Sequence, residues 1–401
     1  MTNTLPKKDA ISTEFKLKQQ KTFSFKPIFI SLIIIYVLAV ISLIFSTPYK
    51  YDFKLSQFFE KGLKFEIVKY WSMWYEIVGD TEIIIVYLSV VMILVESFFK
   101  WKTINNQINF WSKNKWILKA IYIIIIISWL IQIIIKNIKT FNQDNGFGSS
   151  GDAVLLDSNI YRNSGNILVS VIHTILLISV FYWIHFKFAR SKNFLINQYW
   201  IDALKVLIVV LVSTSTVVLK GMTSRPFYYN VIYNDLLEQV KLNGNNHWVE
   251  HYLNQDVFKH GFLDVKTNKY IANSTTDWPW YVSNGFFNPS KYTNQFNYWH
   301  EWAFPSGHVA ASLVLGYVLY LFVTKNNKIT YKTLIILGIY LLHLSSMSFA
   351  LVVNRGHWVS DIAFSYVFYI PIIVVINMYS KNWILKITEF INKKLNNKKG
   401  C

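Results

Sequence analysis

The sequence predicts an all-α integral membrane protein: about eight transmembrane helices in a bundle, with a long outer loop. Three observations predict it. Hydrophobic residues make up 53% of the 401 and charged residues 15%, less charge than a soluble domain of this size carries. The apolar residues collect in runs long enough to cross a bilayer. The connectors rich in Lys and Arg all fall on one side when eight runs are threaded through a membrane. The formal net charge of +18 is spread between the runs, so it reads as membrane orientation. The spans exclude a soluble nucleic-acid binder.

Residues 1–26 are polar, with six Lys against Asp9 and Glu14, and read as a cytoplasmic tail. The first apolar run starts at Pro27 after this Lys-rich stretch and lacks a small-residue cleavage site, so no signal peptide is expected. Residues 27–199 form an N-terminal four-span region, with spans at 27–45, 83–99, 116–135 and 167–186. Between the first two, Phe53, Leu55, Phe58, Phe59, Leu63 and Phe65 alternate with Lys and Glu, as in a segment lying at the interface. Trp71, Trp74 and Tyr75 suit an aromatic belt. Residues 136–165 are rich in Gly, Asn and Ser and read as a linker; Gly146–Gly151 lacks the Lys-Ser/Thr pair of a phosphate loop. His173 is expected to be hydrogen-bonded within the bundle.

Residues 200–380 form a second membrane domain, with spans at 201–219, 309–323, 333–353 and 362–379 and an outer loop at 227–304. Residues 381–401 are a basic cytoplasmic tail. Eight spans put the two tails, 100–115, 187–200 and 325–332 on one side, cytoplasmic by their positive charge. The chain is therefore expected to be a multi-pass protein of the cell membrane with both termini in the cytoplasm. Cys401 is the single cysteine, which excludes an intramolecular disulfide.

This threading brings three polar clusters to the outer face. Pro305-Ser306-Gly307-His308 opens the sixth span, where free helix N–H groups attract anions and His308 can move a proton. His357 and Asp361 are four apart, on one face of a helix, so the carboxylate can fix the imidazole tautomer. Arg355 stands two residues before His357. Lys220 and Arg225 close the fifth span, against the positive-inside trend, and suit an anion. Cationic clamps, a nucleophile and an acid are what phosphoryl transfer needs. No metal is expected: His247, His251 and His260 share the outer loop without a matching set of acids. A transporter with a midplane site is disfavoured, because Glu96, Lys119, Asp202 and Lys205 lie toward span ends.

Over roughly residues 200–380 the chain resembles the type 2 phosphatidic acid phosphatases, or lipid phosphate phosphatases. That family carries a Lys followed by Arg-Pro, a Pro-Ser-Gly-His, and a Ser-Arg followed by His and Asp. The resemblance implies a metal- and cofactor-independent membrane hydrolase acting on a phosphate-bearing lipid, with no nucleic-acid partner. It implies His357 as nucleophile forming a phosphohistidine, Asp361 as its orienting carboxylate and His308 as acid and base. Lys220, Arg225, Ser306 and Gly307 would hold phosphate oxygens. Two departures stand out. Four residues separate Lys220 from Arg225 where the family has six, and Ala350-Leu351 stands where the family has Ser-Arg. Arg355 is the nearby Arg that could substitute. The alternative reading is a catalytically weakened, phosphatase-like lipid-binding or transport protein. No oligomeric state is implied.

Overall fold

The computed structural model describes residues 26–104, 110–142, 158–191, 194–232, 262–264, 269–271, 277–282, 302–324 and 329–397. Most of the expected outer loop, the N-terminal tail, Gly146–Gly151, and His247, His251 and His260 lie outside them. Twelve helices are described: α1 Lys26–Phe45, α2 Tyr49–Glu60, α3 Glu66–Ile104, α4 Phe110–Lys113, α5 Trp116–Asn142, α6 Ser158–Trp183, α7 Tyr199–Ser213, α8 Ser215–Thr223, α9 Tyr228–Val231, α10 Gly307–Val323, α11 Tyr331–Val353 and α12 Val359–Asn397. A short antiparallel pair, β1 Phe262–Asp264 and β2 Lys269–Ile271, belongs to the loop region.

All eight apolar runs fall on helices. Six helices are long and apolar enough to cross a membrane by length and composition; α1 and α2, bent by 117°, make a seventh if taken as one span. At 17 residues, α10 is shorter than these candidate spans, of which Tyr199–Thr223 joins α7 and α8. It rises about 25 Å at 1.5 Å per residue, just under the hydrocarbon thickness.

Helix α3 is the centre of the bundle and packs against α6, α7, α10 and α11. It runs for 39 residues, far longer than the expected span at 83–99. Thr81 and Glu82 come just before that expected span, and both have partners inside the bundle, so the helix continues through them. Thr81 Oγ1 lies 2.6 Å from His173 Nδ1, giving that histidine the structural role expected of it. Glu82 Oε2 accepts from Ser312 Oγ at 3.0 Å and lies 3.2 Å from His343 Nε2. Further along, Glu96 takes Tyr122 and His185. Polar groups in an apolar bundle persist where such partners satisfy them.

Small residues let the helices close in. A Cβ on Gly316 of α10 would stand 2.1 Å from the Tyr340 hydroxyl of α11. One on Gly79 of α3 would stand 1.7 Å from His308 Cδ2 of α10. Helix α5 buries Tyr122 and Trp129 and leaves Ile123, Ile124, Ile127, Ile131 and Ile134 exposed, an outward face that suits lipid. The protein is a multi-pass membrane protein of all-α class.

Candidate active site

The site forms where α8 and α11 end and α10 and α12 begin. Helix α11 stops at Val353 because the chain turns: Asn354 N–H bonds to the Ala350 carbonyl (2.9 Å) and His357 N–H to the Leu351 carbonyl (2.9 Å). Arg355 sits between them at φ 67°, a left-handed position that costs a non-glycine residue about 1–2 kcal/mol. Asn354 braces the turn, donating to Glu76 Oε2 (2.6 Å) and accepting Gly356 N–H (2.9 Å).

This turn delivers His357, buried at 3% exposure, to a place two residues ahead of α12. Its Nδ1 lies 3.1 Å from Asp361 Oδ2, which also accepts Trp358 N–H at 3.0 Å. An ionised carboxylate only accepts, so Nδ1 carries the hydrogen and Nε2 keeps its lone pair. Burial pushes the His357 imidazole down to about 4, with Lys220 and His308 acting the same way and Asp361 opposing them. The His308 ring lies 6.4 Å from the His357 ring, centre to centre, at 70°. Its Nε2 is 3.1 Å from the Glu76 carbonyl of α3. Phe227 meets His357 edge-on at 5.7 Å. Lys220 Nζ stands 5.4 Å from the centre of the same Phe227 ring and donates to the Trp302 carbonyl at 2.6 Å.

At the mouth of α10, Ser306 is the N-cap, its hydroxyl 3.5 Å from Val309 N. Ser365 of α12 accepts Ser306 N–H at 3.0 Å and donates to the Asp361 carbonyl at 2.8 Å, which ties the two helix starts together. A Cβ on Gly307 would find only Thr216 Cγ2, at 3.6 Å.

The two arginines behave differently from the expectation that they face phosphate. Arg225 is buried and committed to protein groups. Its Nε donates to the Trp278 carbonyl (2.9 Å), its Nη1 to Ser360 Oγ (2.5 Å) and Asp361 Oδ1 (2.7 Å), and its Nη2 to Asp52 Oδ2 (2.7 Å). Its guanidinium also lies 4.4 Å over the Trp358 ring. Arg355 points its Nε at Glu60 Oε2, 2.6 Å away, while its buried Nη1 meets no hydrogen-bond partner. Leu351, at the position where the resemblance has an Arg, is buried in an apolar cluster with Val309, Ala310 and Met347. Among the described residues no group of three or more His, Cys, Asp or Glu could hold a metal ion.

A family model described as the PAP2 superfamily matches residues 268–384, the stretch that holds His308, His357 and Asp361. The chain belongs to the PAP2 superfamily. An uncharacterized protein of Mycoplasma capricolum subsp. capricolum is 48% identical over 379 residues, 92% of this chain and 97% of that one. No solved structure matches the chain. Membership makes the bundle a membrane phosphatase-type fold. Lys220 and Arg225 lie outside the matched stretch.

Sequence reasoning missed the partners. Asp52, Glu60, Ser360, Ser365 and Glu76 all hold site residues, and only Ser360, between His357 and Asp361, sits in a motif. One signal was present: Asp52 and Ser56 are four apart, hence on one face of α2, and both are buried in a segment otherwise read as interfacial.

Proposed function

We propose that the protein hydrolyses a lipid phosphate or lipid diphosphate through a phosphohistidine, at a site facing out of the cell. The observation that carries this reading is the His357–Asp361 hydrogen bond with the His308 ring 6.4 Å away. Nε2 of His357 attacks phosphorus and forms the N–P bond as the bond to the leaving oxygen breaks. His308 supplies the proton to that oxygen. It then takes a proton from water, whose oxygen attacks phosphorus and releases His357 and phosphate. Lys220 and the N–H groups opening α10 offer positive potential to the phosphate oxygens. Arg225 and Arg355 act from behind, each anchored on a carboxylate. A site at meeting helix ends suits a substrate whose tail stays in the bilayer.

A second reading, lipid binding without turnover, is favoured by one feature: both arginines pair with carboxylates and Leu351 supplies no cation. One experiment separates the two. Purified protein is assayed for phosphate release from a panel of lipid phosphates and diphosphates, with His357→Ala as control and rapid quench of labelled substrate. The proposal expects turnover, none in His357→Ala, and a protein adduct stable in base and lost in acid. An acid-stable adduct, or full turnover by His357→Ala, removes the phosphohistidine. Lipid binding with no release favours the second reading.

A further inference from the structure

Resting on the phosphohistidine reading, we propose that Asp52 is a positioning residue of this site: acting through Arg225, it leaves Asp361 free to serve as the counter-charge of His357. Asp52 comes from α2, the segment whose sequence reads only as interfacial, yet it is fully buried against the start of α12. Its Oδ2 takes Arg225 Nη2 at 2.7 Å and Ser360 Oγ at 2.5 Å, and its Oδ1 takes Ser360 N–H at 3.2 Å. Arg225 reaches past it to Asp361 Oδ1 at 2.7 Å, and Asp361 Oδ2 reaches His357 Nδ1 at 3.1 Å. Four charged or ionisable side chains thus form one buried line: Asp52, Arg225, Asp361, His357.

The charge count gives this line a purpose. When Nε2 of His357 bonds to phosphorus, positive charge develops on a ring that keeps its Nδ1 hydrogen. That charge needs a carboxylate in a site that excludes water. With Asp361 alone, Arg225 would already neutralise it. With Asp52 present, two carboxylates face one guanidinium, and with Lys220 given to the phosphate a negative charge remains for the ring. Asp52 also fixes the far arm of the guanidinium, so Asp361 keeps both oxygens in place, one on Arg225 and one on His357. An anchor serving stability alone would need no such second carboxylate, because Arg225 is already held by Trp278, Ser360 and Asp361.

The test uses Asp52→Asn in the full chain, which keeps shape and removes charge. Two quantities are read: kcat and KM on the lipid phosphate that the wild type turns over best, and the ring nitrogen signals of His357 in 15N-histidine-labelled protein, assigned with His357→Ala. The expected result is a fall in kcat of about 10- to 100-fold, the usual effect of losing a group that orients a functional ligand, with KM within about twofold. The His357 Nδ1 signal should shift as its bond to Asp361 weakens. In an Arg225→Met background, Asp52→Asn should change kcat by less than about twofold, since its partner is gone. Unchanged kcat and an unchanged His357 signal, with only the melting temperature lowered, would overturn the proposal and leave Asp52 an anchor. Equal losses in both backgrounds would overturn it too. If Asp52→Asn is not monodisperse, Asp52→Ser carries the same comparison, because it also removes the carboxylate that faces Arg225 and buries a smaller group. A wild type that hydrolyses nothing removes the phosphatase reading; a shift of the His357 signal in Asp52→Asn would then still support the charge line, and no shift would end it.

Discussion

His357 is buried against Phe227, and burial, aided by the Lys220 charge, pushes its imidazole down to about 4. The sign of the consequence is fixed. A histidine whose folded value is depressed stays neutral on acidification until about pH 4, so the proposed nucleophile keeps its lone pair across the neutral range. The unfolded chain takes up the proton first, near its ordinary value of about 6.5. The contribution to stability is therefore complete above about pH 6.5 and is lost as pH falls toward 4. Titration of the 15N-labelled protein should find the His357 signals flat from pH 8 to 5. Asp361→Asn, which removes the group holding the proton on, should move the midpoint lower. A midpoint near 6.5 in the wild type would mean that the ring is open to water. This residue pair was legible in the sequence because its spacing is local, four apart, although the structure sets His357 two residues ahead of α12 rather than on one helix face with Asp361. The groups behind it were not. Arg225 and Asp52 are 173 positions apart, and Ser360 and Asp52 are 308 apart. No local pattern encodes such pairings, and an Asp among Lys residues reads as a solvated charge.

Between helices, the contact of α3 with α10 carries a sharper test. Gly79 leaves room for the His308 ring, and a methyl there would overlap it, 1.7 Å from Cδ2 and 2.6 Å from Cγ. Gly79→Ala must turn His308 or part the helices. Either move takes the ring from the Glu76 carbonyl and from His357. The expected outcome is a fall in lipid phosphate turnover of about 100-fold or more, the usual worth of a general acid. An aryl phosphate, whose leaving group needs no proton, should lose far less. Gly165→Ala is the control. Its methyl would stand 2.6 Å from Ile77 Cδ1, the flexible end of a side chain away from the chemistry. It should lower the melting temperature, as overpacking does at about 1–3 kcal/mol, and leave turnover within about twofold. Equal turnover losses in both variants would show that packing of α3, rather than the place of His308, controls activity. The sequence located α3 but not its extent. The stretch from Glu66 to Glu82 looked like connector because Glu66, Lys69, Glu76 and Glu82 interrupt the apolar pattern; Glu66 and Lys69 pair locally, but Tyr161, Asn354, Ser312 and His343, which meet the three acids, come from elsewhere in the chain.

Taken together, the helices run between two distinct ends. Tyr161 OH bonds to Glu66 Oε2 (2.5 Å), which sets the start of α6 beside the start of α3, near the site. At the other end Lys100 Nζ bonds to the Ala189 carbonyl (2.7 Å), and Phe322 stacks with Tyr199 (6.0 Å). That end gathers the last residues of α3 and α10 and the first of α7. The basic connectors 100–115, 187–200 and 325–332 all attach there, while His308, His357 and Lys220 lie at the opposite end. A positively charged end stays in the cytoplasm, so the site should face outward and both tails inward. The check is labelling of single cysteines in intact cells, in a Cys401→Ser background. An impermeant reagent should label Ser290→Cys, in the chain between α9 and α10, and should reach Ser112→Cys only after the membrane is opened. Labelling of Ser112→Cys in sealed cells would invert the protein and place the phosphatase chemistry in the cytoplasm. Labelling of both in sealed cells would mean an even number of crossings between Ser112 and Ser290, with α7 and α8, broken at Thr214, failing to span.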